Sequence, residues 1–246
     1  MSDDNDHEVA ARLATEAGQL LLAVREELAD ATAADRKVAG DKRSHDYLME
    51  ALARERPDDA VLSEEGVDDP VRLSAQRVWI VDPLDGTREF SELGREDWAV
   101  HVALWQSGEL VAGAVALPAQ GITLATPTVT PPPATPGKPR IVVSRTRPPA
   151  IALAVRDALD GTLVEMGSAG AKVASVVQGL SDIYVHAGGQ YEWDSAAPVV
   201  VARAAGLHTS RIDGTPLVYN QPDPLLPDLV VCRPEFADAV LAVTAG

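Results

Sequence analysis

The chain has 246 residues, 46% hydrophobic and 24% charged, a composition typical of a soluble globular protein with one large domain or two smaller ones. Its formal net charge of -16 disfavours polyanionic partners, so we expect neither a nucleic acid polymer nor a membrane surface. A single cysteine, Cys232, excludes an internal disulfide. Together with an acidic N-terminus unlike a secretory signal, it favours a reducing, cytoplasmic location.

The first 126 residues are predicted to form an α+β half. Apolar residues recur at three- and four-residue steps over 8–28 and on one face of 44–54, which predicts two helices. Runs typical of strands lie at 61–63, 77–81, 99–105, 110–117 and 122–125. The dipeptide Ser107-Gly108 predicts a hairpin turn, so these adjacent strands predict an antiparallel sheet.

A proline-rich segment, 127–139, is predicted to separate the two halves as a linker or surface loop. Proline removes backbone donors and fixes φ, which excludes a helix or a central strand here. Strands and helices then alternate over 140–246, which predicts an α/β half. The predicted elements are strands at 140–144, 163–166, 183–186 and 229–232, and helices at 150–159, 171–178, 195–205 and 235–243.

The segment Trp79-Ile-Val-Asp-Pro-Leu-Asp-Gly-Thr87 carries the clearest chemical signal. An apolar strand here delivers Asp82 and Asp85 to a sheet edge on a tight turn. Paired carboxylates repel each other unless a cation lies between them, and hard oxygen ligands suit Mg²⁺. Gly86 permits a close approach of backbone or ligand, and the amides of Gly86 and Thr87 are candidates for binding a phosphate.

This string resembles the signature of the inositol monophosphatase superfamily, whose members are magnesium-dependent, lithium-sensitive phosphatases. Ser63-Glu64-Glu65-Gly66 resembles the upstream acidic pair of that family, and Trp193-Asp194-Ser195-Ala196-Ala197 resembles its downstream motif. The resemblance covers nearly the whole chain. It implies a layered α-β-α-β-α fold, with an α+β and an α/β half around a metal-binding cleft, in a monomer or homodimer.

The resemblance further implies a site for two or three Mg²⁺ ions. Glu64, Asp82 and the carbonyl of Leu84 would hold one ion, and Asp82, Asp85 and Asp194 a second. Two ions on one transferring group stabilise attack and departure together. Two alternatives stay open: Glu65 could be the acidic partner or only a surface carboxylate, and Asp194 could cap the helix that follows it.

Water is the implied nucleophile. In the family, an Asp on an early helix pairs with the signature Thr to orient and deprotonate this water. Asp46 matches that position and Thr87 supplies the hydroxyl, with Asp41 as the alternative to Asp46. The match is incomplete, because Arg43 and Ser44 stand where the family usually has Thr, and the loop is short.

The second half most resembles the CysQ-type branch of the superfamily, the 3'-phosphoadenosine 5'-phosphate phosphatases. Ser144-Arg-Thr-Arg147 resembles the Ser-Arg-Ser motif of that branch, and Gly167 to Lys172 resembles its Gly-Ser-x-x-x-Lys motif. The implied partner is a small phosphorylated nucleotide, with a link to sulfate assimilation. Its predicted contacts are Gly86, Thr87, Ser144, Arg145, Ser168, Lys172 and Asp194.

Some of these residues have simpler explanations. Lys172 could be a solvent-facing helix lysine, Ser168 a helix N-cap, and Trp193 a core residue rather than a surface for adenine. Other activities also stay open, namely inositol monophosphatase or fructose-1,6-bisphosphatase activity, or a non-catalytic ligand sensor. The haloacid dehalogenase phosphatases are disfavoured, because two residues separate Asp82 from Asp85 where that class has one.

Overall fold

The computed structural model describes residues 5–133 and 137–245, and within them it contains seven α-helices, three short 3₁₀ helices and ten strands. The helices are α1 (Asp6–Glu27), α2 (Ala33–Glu55), α3 (Thr87–Ser91), α4 (Ala150–Ala158), α5 (Ala169–Val177), α6 (Glu192–Ala204) and α7 (Ala237–Thr244). The strands are β1 (Ala60–Ser63), β2 (Arg77–Asp85), β3 (Ala99–Gln106), β4 (Glu109–Leu117), β5 (Ile122–Ala125), β6 (Arg140–Ser144), β7 (Thr162–Met166), β8 (Ile183–Ala187), β9 (His208–Ser210) and β10 (Asp228–Cys232).

The first sheet contains β1 to β5 in chain order, with β1 parallel to β2 and the other neighbours antiparallel. The hairpin at Ser107-Gly108 is confirmed, since both residues have positive φ, 50° and 105°, as tight hairpin turns require. β2 continues past its predicted end at residue 81. Both signature carboxylates therefore lie near the end of the strand, which is Asp85. The pairing of β2 with β3 becomes irregular between Asp82 and Asp85.

Two long helices cover the outer face of this sheet. The apolar sides of α1 and α2 are buried against alternate residues of β2 and β3, including Trp79 and Val102. α2 begins at Ala33, well before the predicted residue 44, because Thr32 and Asp35 form a capping box there. Its first turns are mostly polar, so apolar periodicity alone did not reveal them.

The second sheet has the order β7-β6-β8-β10-β9. β6 is parallel to both β7 and β8, so the carboxyl ends of these three strands lie at one edge. β10 is antiparallel to β8 and to β9. β9 was not predicted, because three residues are too few for a pattern to emerge.

α5 and α6 lie between the two sheets. One continuous core joins Ile80 of the first sheet, Val176 of α5, Val199 of α6 and Val231 of the second sheet. On the far side, α4 and α7 cover the second sheet around Val143. The order of layers is therefore helices, sheet, helices, sheet, helices, which confirms the α-β-α-β-α fold expected from the sequence.

The proline-rich segment is described only as far as residue 133, and its residues 134–136 lie outside the described ranges. Its described part packs on the second half, where Arg233 donates a hydrogen bond of 2.6 Å to the carbonyl of Pro133. Because the two halves share the core around α5 and α6, the division into 1–126 and 140–246 stays a prediction about organisation along the chain.

Two smaller expectations concern Cys232 and membranes. Cys232 lies in β10, within the strand predicted at 229–232, and it is buried. Burial raises the pKa of its thiol to about 12, so it carries little thiolate at neutral pH. Among the described helices, none combines the length and apolar character needed to cross a bilayer.

Candidate active site

Three of the predicted metal ligands converge at one point. One carboxylate oxygen from each of Asp82, Asp85 and Asp194 lies within 4.8 Å of the others. Asp82 and Asp85 end β2, whereas Asp194 lies in the first turn of α6. They meet because α6 packs against the inner face of the first sheet. The side chains come from both halves of the sequence.

The carboxylates are crowded enough to disturb their protonation. Burial, with Glu64, Asp85 and Asp194 nearby, raises the pKa of Asp82 well above its usual range. Burial, with neighbouring carboxylates, also raises the pKa of Glu64 to about 7 and that of Asp194 to about 6. Glu64 retains solvent-accessible surface, and water weakens its repulsion by these neighbours.

This donor set fits a divalent cation. The carboxyls of Glu64 and Asp82 interact directly, and this interaction shifts the pKa of both. Two ionised carboxylates would repel each other here, so one of them holds a proton in the absence of a cation. A cation among these oxygens would replace that proton and remove the repulsion. The donors are hard oxygens, as Mg²⁺ prefers. Glu64 lies outside the group of three carboxylates that meet within 4.8 Å, so its role as a metal ligand stays a prediction, supported by its interaction with Asp82.

Asp85 is the most firmly held of the carboxylates. Its oxygens accept hydrogen bonds from the amides of Ala169 (3.2 Å) and Gly170 (2.6 Å) at the start of α5, and from the hydroxyl of Ser168. Burial alone would raise the pKa of Asp85, but His101, Ser168 and Gly170 together lower it to about 2. Asp85 is thus ionised and fixed in orientation across the neutral pH range.

The structure corrects the predicted pairing of Asp46 with Thr87. Thr87 Oγ1 lies 3.3 Å from Asp41 Oδ1, whereas Asp46 is half-exposed and forms an ion pair of 2.6 Å with Lys42. α2 presents Asp41, and not Asp46, to the signature turn. Burial, with Glu65 nearby, raises the pKa of Asp41 to about 6. The alternative named from the sequence is therefore the one that contacts Thr87.

Hydrogen bonds hold the signature turn in place. Ser44 Oγ on α2 donates a hydrogen bond of 2.6 Å to the carbonyl of Pro83. The carbonyl of Leu84 lies 3.2 Å from Thr87 Oγ1, which is a second acceptor for that hydroxyl besides Asp41. Gly86 has φ +83°, and a Cβ there would lie 3.0 Å from the Cβ of Ser168. The close approach expected at this glycine is therefore observed.

Ser168 and Lys172 have well-defined partners inside the protein. Ser168 is the N-cap of α5, since its hydroxyl accepts a hydrogen bond of 2.9 Å from the amide of Ala171. Lys172 is only 6% exposed, which excludes a solvent-facing lysine. Its ammonium donates to the carbonyls of Gly167 (3.3 Å) and Ser168 (2.6 Å). Direct contact of either side chain with a substrate stays a prediction.

Arg145 also has partners inside the protein, because its guanidinium forms ion pairs of 2.8 Å with Glu89 and 2.9 Å with Glu92.

Ser144 and Arg147 line a cleft of about 530 Å³. The other residues that line it include His186, Gly188 and Gly189. The cleft lies at the carboxyl ends of β6 and β8, the sheet edge from which Ser168 also emerges after β7.

The start of α6 also differs from expectation. The helix begins at Glu192, with Tyr191 as its N-cap, so Asp194 is not the cap residue. Asp194 Oδ2 instead accepts a hydrogen bond of 2.7 Å from the Tyr191 amide, which extends the helix by one turn. Trp193 is partly buried against the core and stacks on the Tyr191 ring at 4.8 Å. Core packing thus accounts for Trp193.

Sequence reasoning missed two residues of this site, Ser44 and His101. His101 is completely buried on β3, 3.4 Å from Asp85. The only local signal was a histidine within the apolar run of 99–105. Ser44 was noted only as a departure from the family pattern, although its hydroxyl fixes the carbonyl of Pro83.

Comparison with known proteins agrees with this geometry. The chain matches the inositol monophosphatase family over residues 3–129 and 140–244. It is 53% identical over 239 residues to the 3'-phosphoadenosine 5'-phosphate phosphatase of Mycobacterium bovis, covering 94% of this chain and 90% of that protein. It is 34% identical over 206 residues to the 3'(2'),5'-bisphosphate nucleotidase CysQ of Escherichia coli, covering 74% and 78%.

Among solved structures, the fold is similar to that of CysQ from Bacteroides thetaiotaomicron. The TM-score is 0.76 at 28% identity, with 92% of this chain and 96% of that chain covered. That protein is described as a bacterial member of the inositol monophosphatase family. Motifs, fold and sequence identity lead to one assignment: the chain belongs to the inositol monophosphatase family.

Proposed function

We propose that the protein is a magnesium-dependent phosphatase that hydrolyses the 3'-phosphate of 3'-phosphoadenosine 5'-phosphate. The observation that supports this most is the convergence of Asp82, Asp85 and Asp194 within 4.8 Å, beside the contact between Thr87 and Asp41. The names of the relatives from M. bovis and E. coli favour this substrate class over inositol or fructose phosphates.

Five residues would hold two or three Mg²⁺ ions: the carboxylates of Glu64, Asp82, Asp85 and Asp194, and the carbonyl of Leu84. Magnesium there would neutralise charge on the phosphate and lower the pKa of a water molecule. The residues fit this purpose because their oxygens are crowded and depend on protons to coexist. Inhibition by Li⁺ is expected as a consequence of the same site.

Asp41 and Thr87 would orient the attacking water. With its hydroxyl proton directed to Asp41, Thr87 has a lone pair free to accept a hydrogen bond from the water. The pKa of about 6, raised by burial, makes Asp41 a stronger base than an ordinary aspartate while leaving it ionised at neutral pH. The amides of Gly86 and Thr87 are proposed to bind the phosphate.

The second phosphate of the substrate needs a cationic partner. Arg145 and Lys172 already have partners inside the protein, so we assign them to shaping the loops at 144–147 and 167–168. Arg147, which lines the cleft with Ser144, is proposed to bind the non-scissile phosphate. Direct contacts of Ser144 and Ser168 with the substrate remain part of the proposal, whereas Arg145 and Lys172 are proposed to act only through these loops.

The test is phosphate release from three substrates by the purified protein. These are 3'-phosphoadenosine 5'-phosphate, inositol 1-phosphate and fructose 1,6-bisphosphate, each with Mg²⁺ or with chelator. A magnesium-dependent preference for the nucleotide supports the proposal, and activity on 3'-phosphoadenosine 5'-phosphosulfate would link it to sulfate assimilation. A preference for either sugar phosphate would overturn the substrate assignment. Absence of turnover on all three would support a ligand sensor.

A further inference from the structure

His101 contacts the carboxylate cluster, yet the proposed reaction gives it no role. It lies on β3, directly across from Asp82 on β2, and is 0% exposed. Its Nδ1 lies 3.0 Å from the carbonyl oxygen of Trp193, and its Nε2 lies 3.4 Å from Asp85 Oδ2. One imidazole ring therefore links β3 to the end of β2 and to the first turn of α6.

The direction of these contacts follows from the chemistry of the partners. A carbonyl oxygen only accepts, so His101 Nδ1 must donate its hydrogen to Trp193. That leaves Nε2 directed at the carboxylate of Asp85. A carboxylate also only accepts, so attraction between Nε2 and Asp85 requires a hydrogen on Nε2 as well. At 3.4 Å this contact is longer than a normal hydrogen bond. Among the described groups, Nε2 has no hydrogen-bond partner at ordinary geometry.

α5 is built to accommodate this ring. A Cβ added at Gly170 would lie 1.9 Å from His101 Nε2, so any side chain at this position would displace the imidazole. The amide of Gly170 also donates a hydrogen bond of 2.6 Å to Asp85 Oδ2. Gly170 thus lets the helix backbone and the imidazole reach the same carboxylate from different sides.

We propose that His101 is a positioning residue for the metal ligands. Through Asp85 and through the Trp193 carbonyl, which directly precedes Asp194, it fixes the separation of two carboxylates that belong to different halves of the chain. It acts through these neighbours and does not touch the substrate. The proposal builds on the proposed function for the identity of the cation, but its main test needs no substrate.

The primary experiment measures cation binding to chelator-treated protein by calorimetry, with Mg²⁺ and Mn²⁺ as probes. We expect His101→Leu to weaken binding by about 10- to 100-fold, the range typical for groups that orient metal ligands. His101→Gln, which keeps an amide donor for Trp193, should recover part of the loss. The matched control His208→Leu, on β9, should bind both cations as the wild type does.

A purely structural role for His101 makes a different prediction. It would lower the melting temperature of His101→Leu while leaving the cation affinity of the folded protein unchanged, and that result would overturn the proposal. Failure of the wild type to hydrolyse any substrate would instead contradict the proposed function and leave the comparison of cation affinities intact.

Gly170 gives a second test should His101→Leu fail to fold. Gly170→Ala retains the imidazole but pushes it away, so we expect weaker cation binding. In the His101→Ala background the same change should have a smaller effect, because the ring that it displaces is gone. Equal effects of Gly170→Ala in both backgrounds would show that the two residues act independently, and would contradict the proposed coupling.

Discussion

Thr87 Oγ1 lies 3.3 Å from Asp41 Oδ1, while Asp46 is turned toward Lys42 at the protein surface. We therefore expect Asp41→Asn to lower kcat by about 100- to 10,000-fold, the usual contribution of a general base. Asp46→Asn is the matched control on the same helix and should stay close to the wild-type rate. A loss at Asp46 as large as that at Asp41 would contradict the assignment.

Asp82→Asn should distinguish the contribution of the carboxylate cluster to turnover from its effect on the stability of the metal-free protein. The amide is a poor metal ligand, so Mg²⁺-dependent turnover should be abolished. Burial and the nearby Glu64, Asp85 and Asp194 raise the pKa of Asp82, so near neutral pH folding of the metal-free protein must keep this carboxyl protonated at a cost in free energy. An amide does not ionise, so the variant should have a higher melting temperature in the absence of metal. Thermal unfolding in chelator measures this effect, and substantial turnover of the variant would refute the ligand assignment.

Stability of the metal-free protein should fall as pH rises from about 4.5 to 7. Glu64, with a folded pKa raised to about 7, and Asp194, with one raised to about 6, stay protonated in the folded state where they have already ionised in the unfolded state. The unfolded state therefore binds fewer protons in this window, and ionisation favours unfolding. We expect a loss of stability across this window that Mg²⁺ reverses.

Urea unfolding at both pH values, with and without Mg²⁺, measures this dependence. Asp85 does not oppose the trend, because its pKa is lowered to about 2 and the stability that it contributes is lost only as pH falls toward that value. A metal-free protein that is more stable at pH 7 than at pH 4.5 would show that the carboxylates are not as crowded as the structure indicates.

Ser168→Ala removes both the N-cap of α5 and a hydrogen-bond donor to Asp85. Loss of the cap should destabilise the protein by about 1 kcal/mol. Loss of the donor should also weaken Mg²⁺ binding, since Asp85 becomes less firmly oriented. Chemical unfolding and cation titration distinguish the two effects, with Ser74→Ala on the surface as a control. An unchanged Mg²⁺ affinity would mean that the backbone amides alone position Asp85.

Arg147→Gln tests which cation recognises the second phosphate. We expect KM for 3'-phosphoadenosine 5'-phosphate to rise by about 10-fold, the value of one charge-assisted hydrogen bond. The kinetics with a monophosphate should change little, because that substrate has no second phosphate. Arg54→Gln, on the exposed side of α2, is the matched control. An equal change for both substrates would place Arg147 at the reacting phosphate or in the fold.

The proximity of the signature residues could be predicted because they are close in sequence. Asp82 and Asp85 lie at the end of one strand and Gly86 and Thr87 directly follow it, so a single pattern predicted that they lie together. The choice between Asp41 and Asp46 could not be made this way, because residues five apart on a helix differ by about 140° around its axis. The position that faces Thr87 depends on how α2 docks, and the polar start of that helix gave no periodicity to follow.

The contact between His101 and Gly170 could not be predicted from sequence patterns, for a different reason. Their contact joins β3 of the first sheet to α5, the helix that follows β7 of the second sheet, and neither position looks unusual alone. The overall layers were predictable because alternating strands and helices have few ways to bury their apolar faces. The contacts within those layers depend on register, which a pattern of apolar residues does not specify.

The carboxylates of Asp85 and Asp194 meet across a long stretch of intervening chain that includes the proline-rich segment. A cation shared between them would close this long loop much as a disulfide would, in a chain that has a single cysteine. Magnesium would then stabilise the folded state as well as take part in catalysis. Depleting it would expose the whole molecule, and not only its active site, to unfolding and proteolysis.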